Sequence, residues 1–377
     1  MKKLAPPLAA MLMVLGCQFA TVKANYGGNW TGLFCTGSKM AIPPGLAWEH
    51  LYVFPDSFGY DGQVYHYIAH DPFFRNGYKR YVDDPRLRYR RILVPFLAWL
   101  FSAGQPEAVD FAYIAVCLGF VGLGAYWLSE YAESLGHSRW LGLLFVFLPA
   151  VIVTADRLVT DGALAALCAG FALYARGTHR WKLWTILAAA ALTRETGVLL
   201  AAAMVLYEMW QRRWTRAGFF ATALIPCLGW YGFVALHTRY HDYGGIYIPL
   251  YAIVRQLAHP FPYPPRVKFI PMVQVLDAVA LLGILLAIVL AVWHLRRRVS
   301  AVAIAACLFG LVAILVQRPA NWTQVYDFGR VFTPLLIFVG LDWFESPSLV
   351  PLLPILLILP RVGLQLVPQI EGILRLN

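Results

Sequence analysis

The sequence predicts an all-α, polytopic membrane protein, and three observations predict it. Hydrophobic residues make up 60% of the 377 and charged residues only 14%, against about 45–50% and about 25% in soluble domains. Aromatic residues reach 15%, with 13 Trp, and Trp and Tyr gather where lipid meets water. Beyond residue 107 the chain alternates apolar segments with short basic loops. The same figures exclude other classes. A disordered chain lacks such apolar content, and six Cys spread over this length do not make a secreted disulfide scaffold. The net charge of +11 sits on no recognisable nucleic-acid-binding module, so no nucleic-acid partner is expected.

In chain order, residues 1–22 read as a first span or signal anchor, with Lys2 and Lys3 ahead of an apolar stretch from Leu4 to about Val22. A cleaved signal is the competing reading, because Val14-Leu15-Gly16-Cys17 resembles a lipoprotein processing box. Both readings put residues 23–107 outside the cytoplasm. That loop is too rich in Gly, Pro and charge to span. Its piece Ile92–Phe101 reads as an interfacial or re-entrant helix led in by Arg86, Arg88, Arg90 and Arg91, a block that suits lipid headgroups, a donor phosphate or simple anchoring. Core spans fill 108–236, with apolar segments at 108–128, 139–155, 160–175, 183–193, 197–210 and 217–236. Several fall short of the ~20 residues a spanning helix needs. The pair 183–193 and 197–210 flanks Thr193-Arg194-Glu195-Thr196 and suggests two short helices meeting at a buried polar point. A second external loop, 237–270, is rich in Tyr, Pro and His. The C-terminal spans, 271–377, hold apolar segments at 271–294, 299–316, 331–341 and 349–360. The whole is one integral-membrane domain of about eleven crossings.

Charge gives the orientation. Arg139, Arg176, Arg180, Lys182, Arg212, Arg213, Arg216 and Arg296 to Arg298 fall on one side if the segments alternate, and excess Lys and Arg mark the cytoplasmic side. Of the 20 acidic residues, five (Glu130, Glu133, Glu208, Asp342 and Glu345) share that side, leaving fifteen external. Most of the fifteen sit in compact polar knots, among them Tyr60-Asp61-Gly62, His70-Asp71-Pro72, Asp156-Arg157…Asp161, Arg194-Glu195, His241-Asp242 and Asp327…Arg330. Ionisable groups at membrane depth are costly and point to function, and their recurrence at one face suggests a shared cavity. The chain holds no Gly-rich phosphate loop, His-Glu-x-x-His, Gly-x-Ser-x-Gly or Cys-x-x-Cys. Carboxylates and guanidinia remain, a set suited to taking a proton from a hydroxyl and binding phosphate.

The strongest string is Gly59 to Pro72. Asp61 stands at a turn, and a helix to Ala69 is expected to lie on the membrane with Tyr65, Ile68 and Ala69 on one face. At the helix N-terminus the carboxylate of Asp61 is favoured by the dipole, and it also suits a capping role. Tyr60-Asp61-Gly62-Gln63-x-Tyr65 is followed in order by Arg88-Tyr89-Arg90-Arg91-Ile92-Leu93-x-Pro95, by Thr160-Asp161-Gly162 and by Leu192-Thr193-Arg194-Glu195-Thr196. Over about residues 1–215 the chain thereby resembles the GT-C superfamily of integral-membrane glycosyltransferases, in particular the bacterial branch with this first-loop string. The resemblance implies a GT-C-like helical bundle with interfacial helices in the external loop. It implies a polyprenyl-phosphate-linked sugar donor, a glycan, glycolipid or protein acceptor, and membrane lipids as surroundings. The reaction would run on the outer face of a bacterial inner membrane, with Asp61 as the catalytic residue.

The roles expected follow from that. Asp61 acts as general base with inversion at the anomeric carbon. Arg194, Arg330 and Arg318 are candidates for the donor phosphate, Arg194 first. Tyr60, Gln63, Tyr65, Asp161, Glu195 and Asp242 are candidates for donor or acceptor contacts, Asp161 and Glu195 also for orienting Arg194. The cofactor is left open. A divalent cation is one candidate, with His241 and Asp242 as its ligands. Rival readings are a transporter or flippase for lipid-linked or anionic substrates, an O-antigen ligase or polymerase, and an assembly subunit without activity.

Overall fold

Hydropathy and helix punctuation set the elements, and helices dominate. The structure, a computed structural model, describes residues 3–239, 247–264, 267, 269–346 and 348–375. Its α-helices, in chain order, are α1 (Ala5–Asn25), α2 (Asp61–His70), α3 (Pro85–Arg88), α4 (Leu93–Phe101), α5 (Pro106–Ser134), α6 (Pro149–Arg157), α7 (Asp161–Ala175), α8 (Arg180–Thr193) and α9 (Val198–Trp210). Then come α10 (Trp214–Ala221), α11 (Ile225–His237), α12 (Tyr251–Ala258), α13 (Ile270–Arg297), α14 (Ala301–Leu315), α15 (Val325–Val331), α16 (Thr333–Gly340), α17 (Leu353–Leu364) and α18 (Val367–Leu374). Among the described residues the only strands are two-residue pieces, β1 (Thr36–Gly37) and β2 (Val53–Phe54), paired in parallel. Proline opens many of the helices, at the position where a missing N–H costs nothing.

Four helices are long and apolar enough to cross a membrane: α1, α5, the continuous Trp214–His237, and α13. Two bent pairs raise the number to six. Short helix Arg139–Phe147 meets α6 at 62°, and Val350–Leu364 meets α18 at 49°. The chain is therefore all-α and membrane-embedded. The eleven crossings expected exceed what helix length alone gives, because α7, α14 and Thr333–Phe344 have 10–17 residues. Fifteen residues rise only about 22 Å against a ~30 Å hydrocarbon core.

Helix α5 is the ruler of the molecule. It packs on α1, α4, α7 and the Arg139–Phe147 helix. Asp110 lies in its first turns and Glu130 and Glu133 in its last, about 30 Å apart at 1.5 Å per residue. The two charge groups sorted from sequence occupy its two ends. Each of the five acids assigned to the basic side pairs with a base of that side: Glu130 and Glu133 with Arg139, Glu208 with Arg213 and Arg216, Asp342 with His294, and Glu345 with Arg176 and Arg298.

The loop between α1 and α4 folds over the other end. The expected helix after Tyr60 is there, but it does not lie on a membrane surface with one face exposed. Gly62 through His70 are all buried, because α2 is inserted between Trp30–Phe34, α4 and α5. Helix α4, with nine residues, is too short to cross, as read from the sequence.

Candidate functional site

Asp61 is the first residue of α2, with Tyr60 at the cap position and no capping bond from either side chain. Capping is thus not its role. Its carboxylate faces two guanidinia instead: Arg88 Nη1 lies 2.8 Å from Oδ1, and Arg330 Nη2 donates to Oδ2 at 2.6 Å. Arg88 comes from the last residue of α3, where it also donates twice to Asp83. Arg330 comes from α15, 269 residues away in sequence. Burial favours a neutral Asp61, but Arg330, Arg88 and Arg91 outweigh it and hold the carboxyl well below its usual range.

Arg330 links onward. Its Nη1 donates to Asp161 Oδ2 at 3.3 Å, and Asp161 in turn receives Arg194 on Oδ1. Asp161 opens α7 three residues after Leu158, which holds left-handed backbone at φ 45°. Such a φ is uncommon outside glycine, and here it closes α6 and turns the chain into α7. Arg330 also lies 3.6 Å from Asp327, which accepts a hydrogen bond from the Tyr60 hydroxyl at 3.0 Å. The Tyr60 ring stacks under Arg330 and Arg157, whose guanidinium carbons lie 4.7 and 4.9 Å from its centroid. Burial, followed by the charge of Asp61, pushes the Asp327 carboxyl up despite Arg330.

A second branch runs through Arg91, which grips Glu195 with two bonds, 2.8 and 2.6 Å, and donates to the Tyr65 hydroxyl at 2.9 Å. The bidentate geometry is the strong form of the pair. Arg194 and Glu195 occupy the break where α8 gives way to α9, and Arg194 is 5% exposed. That is the pair of short helices meeting at a buried polar point. Gly197 is required in this break, since a Cβ there would lie 1.9 Å from the Ala190 carbonyl oxygen.

Most sequence-nominated residues therefore converge. Tyr60, Asp61, Asp161, Arg194 and Arg330 lie in one bonded network, and Tyr65 and Glu195 lie in the cluster around Arg91 beside it. Glu195 pairs with Arg91 and not with Arg194, which Asp161 orients. Gln63 is engaged by the protein itself. Its Oε1 accepts from the Gly37 amide, its Nε2 donates to the Tyr67 hydroxyl, and it is fully buried. Its work is to pin the start of α2 to β1. Arg318 stands just before the short helix Pro319–Trp322. His241 and Asp242 lie outside the described residues. Asp71, in another polar knot, is structural: its carboxylate accepts the backbone amides of Arg75, Asn76 and Tyr78 and closes the loop after α2.

In the sequence, Arg88, Arg91 and Asp327 stand only within a basic block open to headgroup, donor-phosphate or anchoring roles and within the Asp327…Arg330 knot, without individual site roles. Arg88 and Arg91 sit in the second of the four strings, so the signal was present, but a run of alternating arginines looks the same whether it anchors or binds. The four arginines (Arg88, Arg91, Arg194, Arg330) and four acids (Asp61, Asp161, Glu195, Asp327) balance. Side-chain exposure separates rim from floor: Glu195 34%, Asp327 28%, Asp61 15% and Arg88 14%, against 2% for Asp161 and 6% for Arg194. An incoming anion would meet Arg88 first and would compete with Asp61 for it. A cavity of about 390 Å³ lined by Arg176, Arg180, Arg213, Arg216 and Arg298 lies among the opposite, basic loops and shares no residue with this network. The six cysteines are unpaired, and Cys35 accepts from Arg157. No protein-family model, curated protein or solved structure matches the chain.

Proposed function

We propose that the chain is a membrane glycosyltransferase that moves a sugar from a polyprenyl-phosphate-linked donor to a hydroxyl of a glycan, lipid-linked or protein acceptor. The reaction runs on the extracytoplasmic face of a bacterial inner membrane, in a GT-C-like bundle of about eleven crossings. One observation carries the reading. The four strings of the GT-C resemblance, spread over more than 130 positions, each contribute a charged residue to one network: Asp61, Arg88, Asp161 and Arg194.

The geometry supports the following course. The donor phosphate takes Arg88 and Arg330 from Asp61 through charge-assisted hydrogen bonds. Arg194 stays behind and fixes Asp161. Released from its cations, the Asp61 carboxylate regains basicity and accepts the proton of the acceptor hydroxyl. The hydroxyl oxygen bonds to the anomeric carbon as the bond to the phosphate oxygen breaks. Polyprenyl phosphate departs with its charge met by the arginines, and the anomeric configuration inverts. Ion pairing thus keeps Asp61 unreactive until a phosphate arrives.

The test gives membranes carrying the protein a labelled polyprenyl-phosphate sugar and compares wild type with Asp61→Asn. Transfer by the wild type and a loss of about 10²–10⁴-fold in the variant is expected. Equal transfer by both removes Asp61 as base. Vesicle accumulation of the lipid-linked or anionic substrate without transfer overturns the enzyme reading in favour of transport.

A further inference from the structure

Four side chains beside this network, and not part of it, converge on a point where their hydrogen bonding is incomplete. His66 and His70 project from α2 at i and i+4, hence on one face. Glu49 comes from the end of the short helix Pro44–Glu49, and Asp110 from the start of α5. His66 Nε2 lies 2.8 Å from Asp110 Oδ1 and 3.1 Å from Glu49 Oε2; His70 Nε2 lies 3.1 Å from Glu49 Oε1 and 3.5 Å from Asp110 Oδ1. One N–H shared between two carboxylates is well aligned with neither. Despite the short distances, His66 Nε2 and both Glu49 oxygens have no directed hydrogen bond. The His66 side chain is fully buried and that of Glu49 is 3% exposed. Buried polar atoms left in this state are costly.

From this geometry we infer that Glu49, His66, His70 and Asp110 form a closed, four-coordinate site for a divalent transition-metal ion, zinc by ligand type. All four ligand atoms lie within 4.8 Å of one another. Ligands at about 2.0–2.2 Å around a tetrahedral ion stand roughly 3.3–3.6 Å apart; the His70–Asp110 separation of 3.5 Å matches, and the others, 2.8 to 3.1 Å, need to open by only a few tenths of an ångström. Two imidazoles and two carboxylates make a set that suits Zn²⁺ better than Mg²⁺ or Ca²⁺, which take all-oxygen shells. Four protein ligands with little exposure leave no open position, so the ion is structural. It ties α2 to α5 and to the external loop, with His66 about one and a half turns beyond Asp61, since five residues rise roughly 7.5 Å. It thereby holds the helix that presents Asp61. The site does not depend on the glycosyl-transfer reading, and its test does not use transfer.

Without a cation the same four groups have one other stable state, a protonated His66 between two carboxylates. Burial alone would lower the imidazole, but Asp110 and Glu49 outweigh it and push it up to about 10. The experiment separates the two. Full-length protein in detergent, washed with chelator, is titrated with Zn²⁺ against a chromophoric competitor, and its metal content is measured before and after. One Zn²⁺ per chain is expected. Binding should be weakened at least ~100-fold in His66→Ala and in Glu49→Gln, and unchanged in a His241→Ala, Asp242→Asn control. Loading with Co²⁺ keeps the test independent of variant folding: a strong four-coordinate visible spectrum is expected from the wild type. A weak six-coordinate spectrum, substoichiometric Zn²⁺, or full binding by the variants overturns the proposal in favour of the charged-histidine state.

Discussion

Asp61 and Asp327 face the same guanidinium, Arg330, and their surroundings treat them in opposite ways. Asp61 has two close cationic partners, so its pKa is depressed in the folded state. A depressed carboxyl stabilises the fold above its unfolded pKa, near ~3.9, and the contribution is lost only as pH falls through the lower folded value. For Asp327 burial and its acidic neighbour win, and the pKa is raised. A raised carboxyl penalises the fold once pH exceeds the unfolded value, and the penalty is relieved as pH falls. The two isosteric variants should therefore differ in sign. In thermal unfolding of detergent-solubilised protein at pH 7, Asp61→Asn should lose about 2–4 kcal/mol, since it leaves buried arginines short of a partner. Asp327→Asn, which keeps an acceptor for the Tyr60 hydroxyl, should be neutral or gain up to about 1 kcal/mol. Lowering the pH toward the ordinary carboxyl value should leave the first difference unchanged and shrink the second. A loss in Asp327→Asn as large as in Asp61→Asn would mean that the shared arginine needs both acids equally.

At the scale of elements, α2 decides the site, and its position was the least legible part of the chain. Its existence and, to within a residue, its limits were readable, because a turn at Asp61, a carboxylate at the helix start and apolar spacing all agree. Its surroundings were not. The same apolar face fits a membrane surface or a protein interior, and the choice depends on what other segments bring to the polar face. Here the polar face meets Glu49, Asp110, Arg88 and Arg91, and the helix is buried all round. The close approach rests on Gly62, whose added Cβ would stand 2.2 Å from the Arg157 carbonyl oxygen and 2.9 Å from that of Phe34. Both contacts are backbone, so neither side can rotate away. Gly62→Ala should cost about 1–3 kcal/mol by overpacking and displace Asp61. Gly119→Ala, in α5 with nothing within 4 Å of a Cβ, should be neutral or stabilising by up to about 1 kcal/mol through helix propensity. Thermal unfolding of both variants checks the contrast, and equal stability of the two would show that α2 is loosely seated.

The whole molecule is organised as two charge systems about 30 Å apart along α5, bridged by apolar helices. The basic end should be cytoplasmic. A reporter fused after Arg298 should report the cytoplasm, and one placed in the loop before α2, or within 237–270, should report the outside. An external signal after Arg298 would invert the orientation and with it the side on which the Asp61 network lies. Several helices of the bundle are too short to cross by themselves, and the polar breaks between them, such as Arg194–Gly197, are where the network forms. Breaks of this kind are tolerated at membrane depth only when protein surrounds them, which is why the short helices and the buried charges occur together.

The sequence by itself determined which segments are apolar helices, which loops are basic, and which short strings hold acids and arginines. Those are local properties, set by hydropathy, by helix period and by the cost of placing charge in lipid. Tertiary structure alone decided the pairings. Arg330 reaches Asp61 across 269 positions and Arg91 reaches Glu195 across 104. Glu49 and Asp110 close on two histidines whose i, i+4 spacing was visible in the strongest string all along. No local pattern encodes which carboxylate meets which cation, because that depends on how helices pack. Packing also made Gln63 a brace between α2 and β1 and assigned Arg91, not Arg194, to Glu195.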